Sequence, residues 1–111
     1  MMGINGWRIM WLIAVYDCPM TTPEARHDYT QFRKLLLKQN FHQLQNSLYV
    51  RHFPTKAAAD ACIHRLRPQI PKDANVAFFL VTDKQYAMTR EYFGFEEVKK
   101  KPDEPEQIQL F

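Results

Sequence analysis

The sequence is poor in glycine and cysteine, and it contains no long uninterrupted apolar stretch. Glycine occurs three times in 111 residues, against two tryptophans, five tyrosines and eight phenylalanines. A chain with so little backbone freedom and so much aromatic surface forms ordered elements rather than flexible linkers. The cysteines, Cys18 and Cys62, lie far apart with no Cys-x-x-Cys spacing. That spacing argues against a zinc framework or a disulfide scaffold and fits reduced thiols. No run approaches the roughly 20 apolar residues of a membrane helix. The opening Met-Met-Gly-Ile-Asn-Gly lacks the basic-then-apolar plan of a secretion signal. The expectation is a cytoplasmic protein without a membrane partner. The formal charge of +3 is a mild excess that nucleic acid binding accommodates but does not require. A chain of this length is one domain with a modest core, a size that often gains from pairing with a second copy.

The chain is organised around Ile9 to Pro19. An unbroken apolar run, Ile9 to Val15, leads into Tyr16, then one acid, Asp17, then Cys18 and Pro19. The run is rich in strand-favouring residues and reads as a strand buried on both faces. Pro19 lacks the N–H to continue it, so Asp17 sits at the strand's C-terminal end, where the sheet opens to water. A carboxylate there is either the start of a turn or a reactive or metal-binding group.

Thr21 with Glu24 fits a capping box, and Thr22 with Pro23 fits an N-cap followed by proline; either starts a helix near Pro23. Ala25, Tyr29, Phe32 and Leu36 form its apolar stripe, with Arg26, Thr30, Arg33 and Lys34 on a neighbouring face. Those cations are either a solvated helix face or a phosphate-facing edge near Asp17. Asn40 is the expected left-handed stop. Residues 41–53 alternate like a half-buried strand, interrupted by a kink or tight turn at Gln45-Asn46-Ser47. A second helix opens at Pro54-Thr55, with Ala59, Cys62, Ile63, Leu66 and Ile70 inward. Cys62 on that stripe is a small core residue. Residues 75–82 are a second continuous apolar run and read as another central strand beside the first. Thr82-Asp83 caps a short helical turn through Tyr86 and Met88, stopped by Gly94. The charged Lys99 to Glu106 stretch is a connector, and Ile108 and Leu110 alternate with glutamines as a closing strand. This order predicts an α+β ferredoxin-like βαββαβ sandwich over residues 1–95. Residues 96–111 would be a connector and a C-terminal strand docking on a partner.

Several phrases together carry a resemblance. They are Val15-Tyr16-Asp17-Cys18-Pro19-Met20-Thr21-Thr22-Pro23-Glu24-Ala25-Arg26, then Tyr29 to Leu36, then Asn40 to Arg51, then Val81-Thr82-Asp83-Lys84-Gln85-Tyr86. In order and spacing they resemble the CRISPR-associated protein two family, the small companion of the integrase that acquires new spacers. The resemblance implies a ferredoxin-like homodimer acting as a magnesium-dependent endonuclease on RNA or duplex DNA. It also implies a central bridge between dimers of the large integrase subunit. Carried onto this sequence, Asp17 is the catalytic and Mg2+-binding acid. Tyr16, Arg26, Arg33 and Ser47 fall on nucleic-acid-binding positions, and Phe41 on a family-like position at the strand entry. Ile108 and Leu110 belong to the dimer contact. Two other readings fit the residues. One is a free-standing ribonuclease of toxin type, and the other a ferredoxin-like dimer that binds a ligand or protein without catalysis. The histidines His27, His42, His52 and His64 are scattered over different elements and offer no ligand pair.

Overall fold

The computed structural model describes residues 8–98. Strand β1, Met10–Asp17, is its spine. Helix α1, Pro23–Lys38, begins with Thr22 rather than Thr21 as its cap: the Thr22 hydroxyl accepts from the Ala25 N–H at 3.0 Å. Proline at the first helical position has no N–H to leave unpaired. The helix stops at Asn40, whose φ of 68° reverses the chain. The Phe41 N–H then donates to the Leu36 carbonyl at 3.0 Å, which folds Phe41 back into the core. Strands β2, His42–Gln45, and β3, Leu48–Phe53, follow as a hairpin, with the expected turn at Asn46-Ser47.

Helix α2, Lys56–Leu66, is capped by Thr55, which accepts from the Ala58 N–H at 3.1 Å. A short 3-10 turn, Arg67–Gln69, carries the chain past Pro68. Strand β4, Asn75–Thr82, leads into helix α3, Asp83–Ala87. Thr82 and Gln85 there form a reciprocal capping box at 2.8 and 3.1 Å.

The main sheet has the order β2-β3-β1-β4, with every pairing antiparallel. This is the ferredoxin-like arrangement. Because side chains alternate across a strand, the sheet has two distinct faces. On one, Leu12, Ala14 and Tyr16 of β1 join Tyr49 and Phe53 of β3. Phe32 and Leu36 of α1 and Ala59, Cys62 and Leu66 of α2 cover them, forming the main core. On the other face, Trp11, Ile13 and Val15 lie beside Leu48 and Val50, with Phe79 and Val81 across from β1. Among the described residues, only α3 covers this face, and only at one corner. There Trp11 stacks on Tyr86 with ring centroids 3.9 Å apart, and its indole N–H donates to the buried Asp83 carboxylate at 2.6 Å.

Two expectations are corrected. Residues 75–82 do lie beside β1, but as the outermost strand of the described sheet rather than a central one. Its even positions pack on the core, while Ala77 and Phe79 on the other face are exposed. Gly94 does not stop a helix. It turns a small separate hairpin at φ 64°, made of β5, Glu91–Phe93, and β6, Glu96–Val98. A two-pronged Arg90–Glu97 ion pair at 3.1 and 3.3 Å ties its ends. The boundary expected between residues 95 and 96 falls inside this hairpin. Ile108 and Leu110 lie outside the described residues. Among the described residues, no helix is long and apolar enough to cross a membrane.

Candidate functional site

Asp17 is the last residue of β1 and is exposed. Its odd position puts it on the same face as Trp11, Ile13 and Val15, the face that α1 and α2 leave uncovered. On one side it pairs in register with Asn75, the first residue of β4. On the other side the β1–β3 ladder ends at Val15 and Leu48, followed by one bond from the Tyr16 N–H to the Ser47 carbonyl at 3.1 Å. Asp17 thus stands at a corner of the sheet, next to the turn between β2 and β3.

That turn is held against α1 by side chains. The Tyr29 hydroxyl donates to the Asn46 carbonyl at 3.3 Å, and the Gln43 amide reaches the same carbonyl at 3.4 Å. Arg33 donates to the Gln43 side-chain oxygen at 3.2 Å. Arg26 donates to the Met20 carbonyl at 3.1 Å, bracing the loop after β1. Arg33, Ser47 and the turn therefore form one connected edge. Both arginines keep further guanidinium N–H groups for an outside acceptor.

Tyr16 is placed differently from the expectation. It is 1% exposed and points to the helix-covered face. Its ring lies edge-on to Phe32 at 5.0 Å and near Tyr29 and Tyr49 at 5.2 and 5.8 Å. From this position it cannot touch a nucleic acid laid on the surface; it packs the strand that ends in Asp17. Burial, and then the neighbouring Tyr49 and Tyr29, hold its phenol far above the ordinary tyrosine range, so it stays neutral and supplies no base. Phe41 is likewise a core residue.

Cys18 is buried, and that burial pushes its thiol up. The carboxylates of Asp28, Asp17 and Asp73 push the same way, so Cys18 is not a nucleophile. The same three acids make this corner locally negative. A polyanion approaching Asp17 therefore meets repulsion unless a cation sits there. Among the described residues, no three His, Cys, Asp or Glu side chains come together as a metal site. One chain offers the Asp17 carboxylate and, across the strand pair, the Asn75 carboxamide. This small oxygen-only set suits a hard, mostly hydrated divalent ion rather than zinc, and a second copy would double it.

Gln43, Asn46, Tyr29 and Asn75 were not among the residues the sequence singled out for this corner. Asn75 left a signal: asparagine is disfavoured in strands, yet here it opens an otherwise apolar one.

An antiparallel ferredoxin-like sandwich with a lone exposed acid at the end of its central strand defines the structural class. The comparisons narrow it. The chain matches the family described as CRISPR associated protein Cas2 over residues 10–89. A CRISPR-associated endoribonuclease Cas2 of Parvibaculum lavamentivorans is 38% identical over 104 residues, covering 92% of this chain and all of that protein. The protein of the same name from Flavobacterium psychrophilum is 30% identical over 109 residues, covering 97% of this chain and 93% of that one. The crystal structure of Streptococcus pyogenes Cas2 at pH 6.5 superposes with a TM-score of 0.58 at 22% identity. It covers 75% of this chain and 99% of that one, a likeness of fold. This chain belongs to the Cas2 family.

Proposed function

We propose that this chain works as a twofold dimer. It would bind nucleic acid as the central bridge of the spacer-acquisition integrase complex and cleave phosphodiesters, RNA or duplex DNA, at a site built on Asp17. One observation carries the reading: Asp17 lies on the apolar face that, among the described residues, helices α1 and α2 leave bare and α3 covers only at the Trp11 end. A second copy docked there covers Ile13, Val15, Leu48 and Phe79 and sets its own Asp17 on the same face. Two carboxylates across a dyad suit a divalent ion, taken here as Mg2+, better than one does. Such an ion, when bound, polarises a phosphoryl oxygen and makes its bound water more acidic.

The protein's own residues do the rest. Asp17 would hold the ion, whose positive charge would offset the negative corner. Arg33, fixed through Gln43, and Arg26 grip backbone phosphates, and Ser47 presents a small polar surface beside them. Cys18 and Tyr16 take no part in proton transfer. The large integrase subunit is the expected protein partner, and the C-terminal strand with Ile108 and Leu110 is proposed to dock on a partner subunit. The names of the relatives, endoribonucleases, support the cleavage arm.

The experiment compares wild type with Asp17→Ala in cells acquiring spacers and in tubes with labelled RNA and duplex DNA plus Mg2+. Cleavage should fall by at least about a hundredfold in the variant. Dimerisation and co-purification with the large integrase subunit should be unchanged. Undiminished cleavage would remove Asp17 from the chemistry. Full spacer acquisition by the variant, with cleavage gone, would assign the cellular role to the bridge alone. Loss of the dimer would make Asp17 structural.

A further inference from the structure

We infer that Asn75 is a second oxygen ligand, beside Asp17, for the divalent ion of this site. The inference rests on the reading of Asp17 given above and adds a residue to it. The two residues are directly opposed across the antiparallel β1–β4 pair. Opposed side chains share a face and stand with Cβ atoms about 4.5–5.5 Å apart. Both are exposed, on the face that α1 and α2 leave uncovered. Among the described residues, neither side chain makes a hydrogen bond or ion pair, so both are open to a ligand.

The ordinary explanation for an asparagine at a strand's start is a turn. Here the turn closes one residue earlier, where the Ala74 N–H donates to the Pro71 carbonyl at 3.0 Å. Asn75 is already paired in the ladder, in extended backbone that an asparagine disfavours. The turn therefore does not require its side chain.

The other flank of Asp17 has its backbone oxygens engaged. The Ser47 carbonyl accepts from the Tyr16 N–H, and the Asn46 carbonyl accepts from Tyr29 and Gln43. The β4 side thus presents an open oxygen donor in register with the carboxylate. Its chemistry also fits. A carboxamide oxygen is a hard, neutral ligand, so it binds a divalent ion without adding charge to a corner where Asp17, Asp28 and Asp73 already converge on Cys18. In a twofold dimer the pair would be repeated, so two carboxylates and two carboxamides would be available to hold the ion.

The test is Mn2+ binding to the full-length protein, followed by the electron paramagnetic resonance signal of the free ion, without nucleic acid or turnover. Circular dichroism confirms that each variant is folded, as expected for exposed positions. Asp17→Ala should abolish the binding that wild type shows. Asn75→Ala should weaken it by about tenfold, and Asn75→Asp, which adds a charged oxygen, should tighten it. If Asp17→Ala abolishes binding while Asn75→Ala and Asn75→Asp both match wild type, the Asn75 inference is overturned and the Asp17 reading stands. If Asp17→Ala binds like wild type, the Asp17 reading is overturned and this inference with it. Wild type that binds no Mn2+ overturns both.

Discussion

Replacing Phe79 by alanine tests the uncovered face of the sheet directly. Phe79 lies opposite Ile13 on β4 and is 53% exposed in the single chain. A buried aromatic side chain takes roughly 150–250 Å² out of water, so about 100 Å² of Phe79 awaits a cover. At about 25 cal/mol per Å², covering it contributes about 2.5 kcal/mol. Imperfect fit and side-chain ordering reduce that to about 1.5–2 kcal/mol at an interface. A twofold contact uses the residue twice, so the substitution should weaken dimerisation by about 3–4 kcal/mol. That is about two to three decades in the dimer Kd. Sedimentation velocity over a concentration series measures it. Because half of the ring is already in water, the folded monomer should lose far less stability than the dimer does. An unchanged dimer at micromolar concentration would refute the docking of a second copy on this face. A collapse of the monomer's own stability would show that the ring serves the fold instead.

Trp11→Phe keeps most of the stack on Tyr86 but strips the indole N–H from the buried Asp83 carboxylate. It should destabilise the chain by about 2–4 kcal/mol. That lowers Tm by roughly 10–20 °C. Adding Asp83→Asn should restore part of the loss; if thermal unfolding of the double variant is simply additive, the bond is not the cause. Alkaline stability gives another check. Burial pushes the Cys18, Cys62 and Tyr16 groups up, with Arg51 and Arg65 partly opposing it at Cys62. The folded chain therefore keeps protons that the unfolded chain releases. This stability is fully present below the ordinary thiol range and falls as pH rises through about 8.5 and then about 10. Urea midpoints that stay level from pH 7 to 10.5 would contradict it.

Much of the frame was legible because local and long-range signals agreed. Thr22-Pro23, Thr55 and Thr82 mark helix starts by their capping chemistry, and Asn40 marks a stop by its tolerance of positive φ. The apolar run in β1 is buried on the helix-covered face at Leu12, Ala14 and Tyr16, but on the other face only Trp11 is buried while Ile13 and Val15 stay half-buried, so the expected burial on both faces holds for one face of the described chain. The similar run in β4 misled about position for a physical reason. An apolar run records that both faces avoid water, not which layer covers them. In β4 Val76, Phe78 and Leu80 pack on the main core and Val81 on the Trp11–Tyr86 corner, while Ala77 and Phe79 face outward. The β5–β6 hairpin was missed because each strand has three residues, with Glu91, Glu96 and Glu97 breaking any alternation. Its Gly94 serves a turn as readily as a helix end.

At the candidate site, the strand's end put Asp17 at the water-facing edge of the sheet but left a turn and a reactive group both open, and the resemblance singled it out. Tyr16 was assigned to nucleic acid by resemblance, although strict alternation puts neighbours 16 and 17 on opposite faces and sends the tyrosine inward. Asn75 left only its residue type as a signal; its place opposite Asp17 comes from register, and register is fixed by pairing across residues far apart in the chain.

The β5–β6 hairpin has a practical consequence. Phe93 and Phe95 straddle Gly94 at 84% and 94% exposure, with Met88 and Tyr92 close by in sequence and also bare. Fully native protein therefore carries a greasy tip. It should cling to phenyl-bearing resins and brighten naphthalene-sulfonate dyes without any unfolding, so dye fluorescence is a poor gauge of misfolding in stocks of this chain.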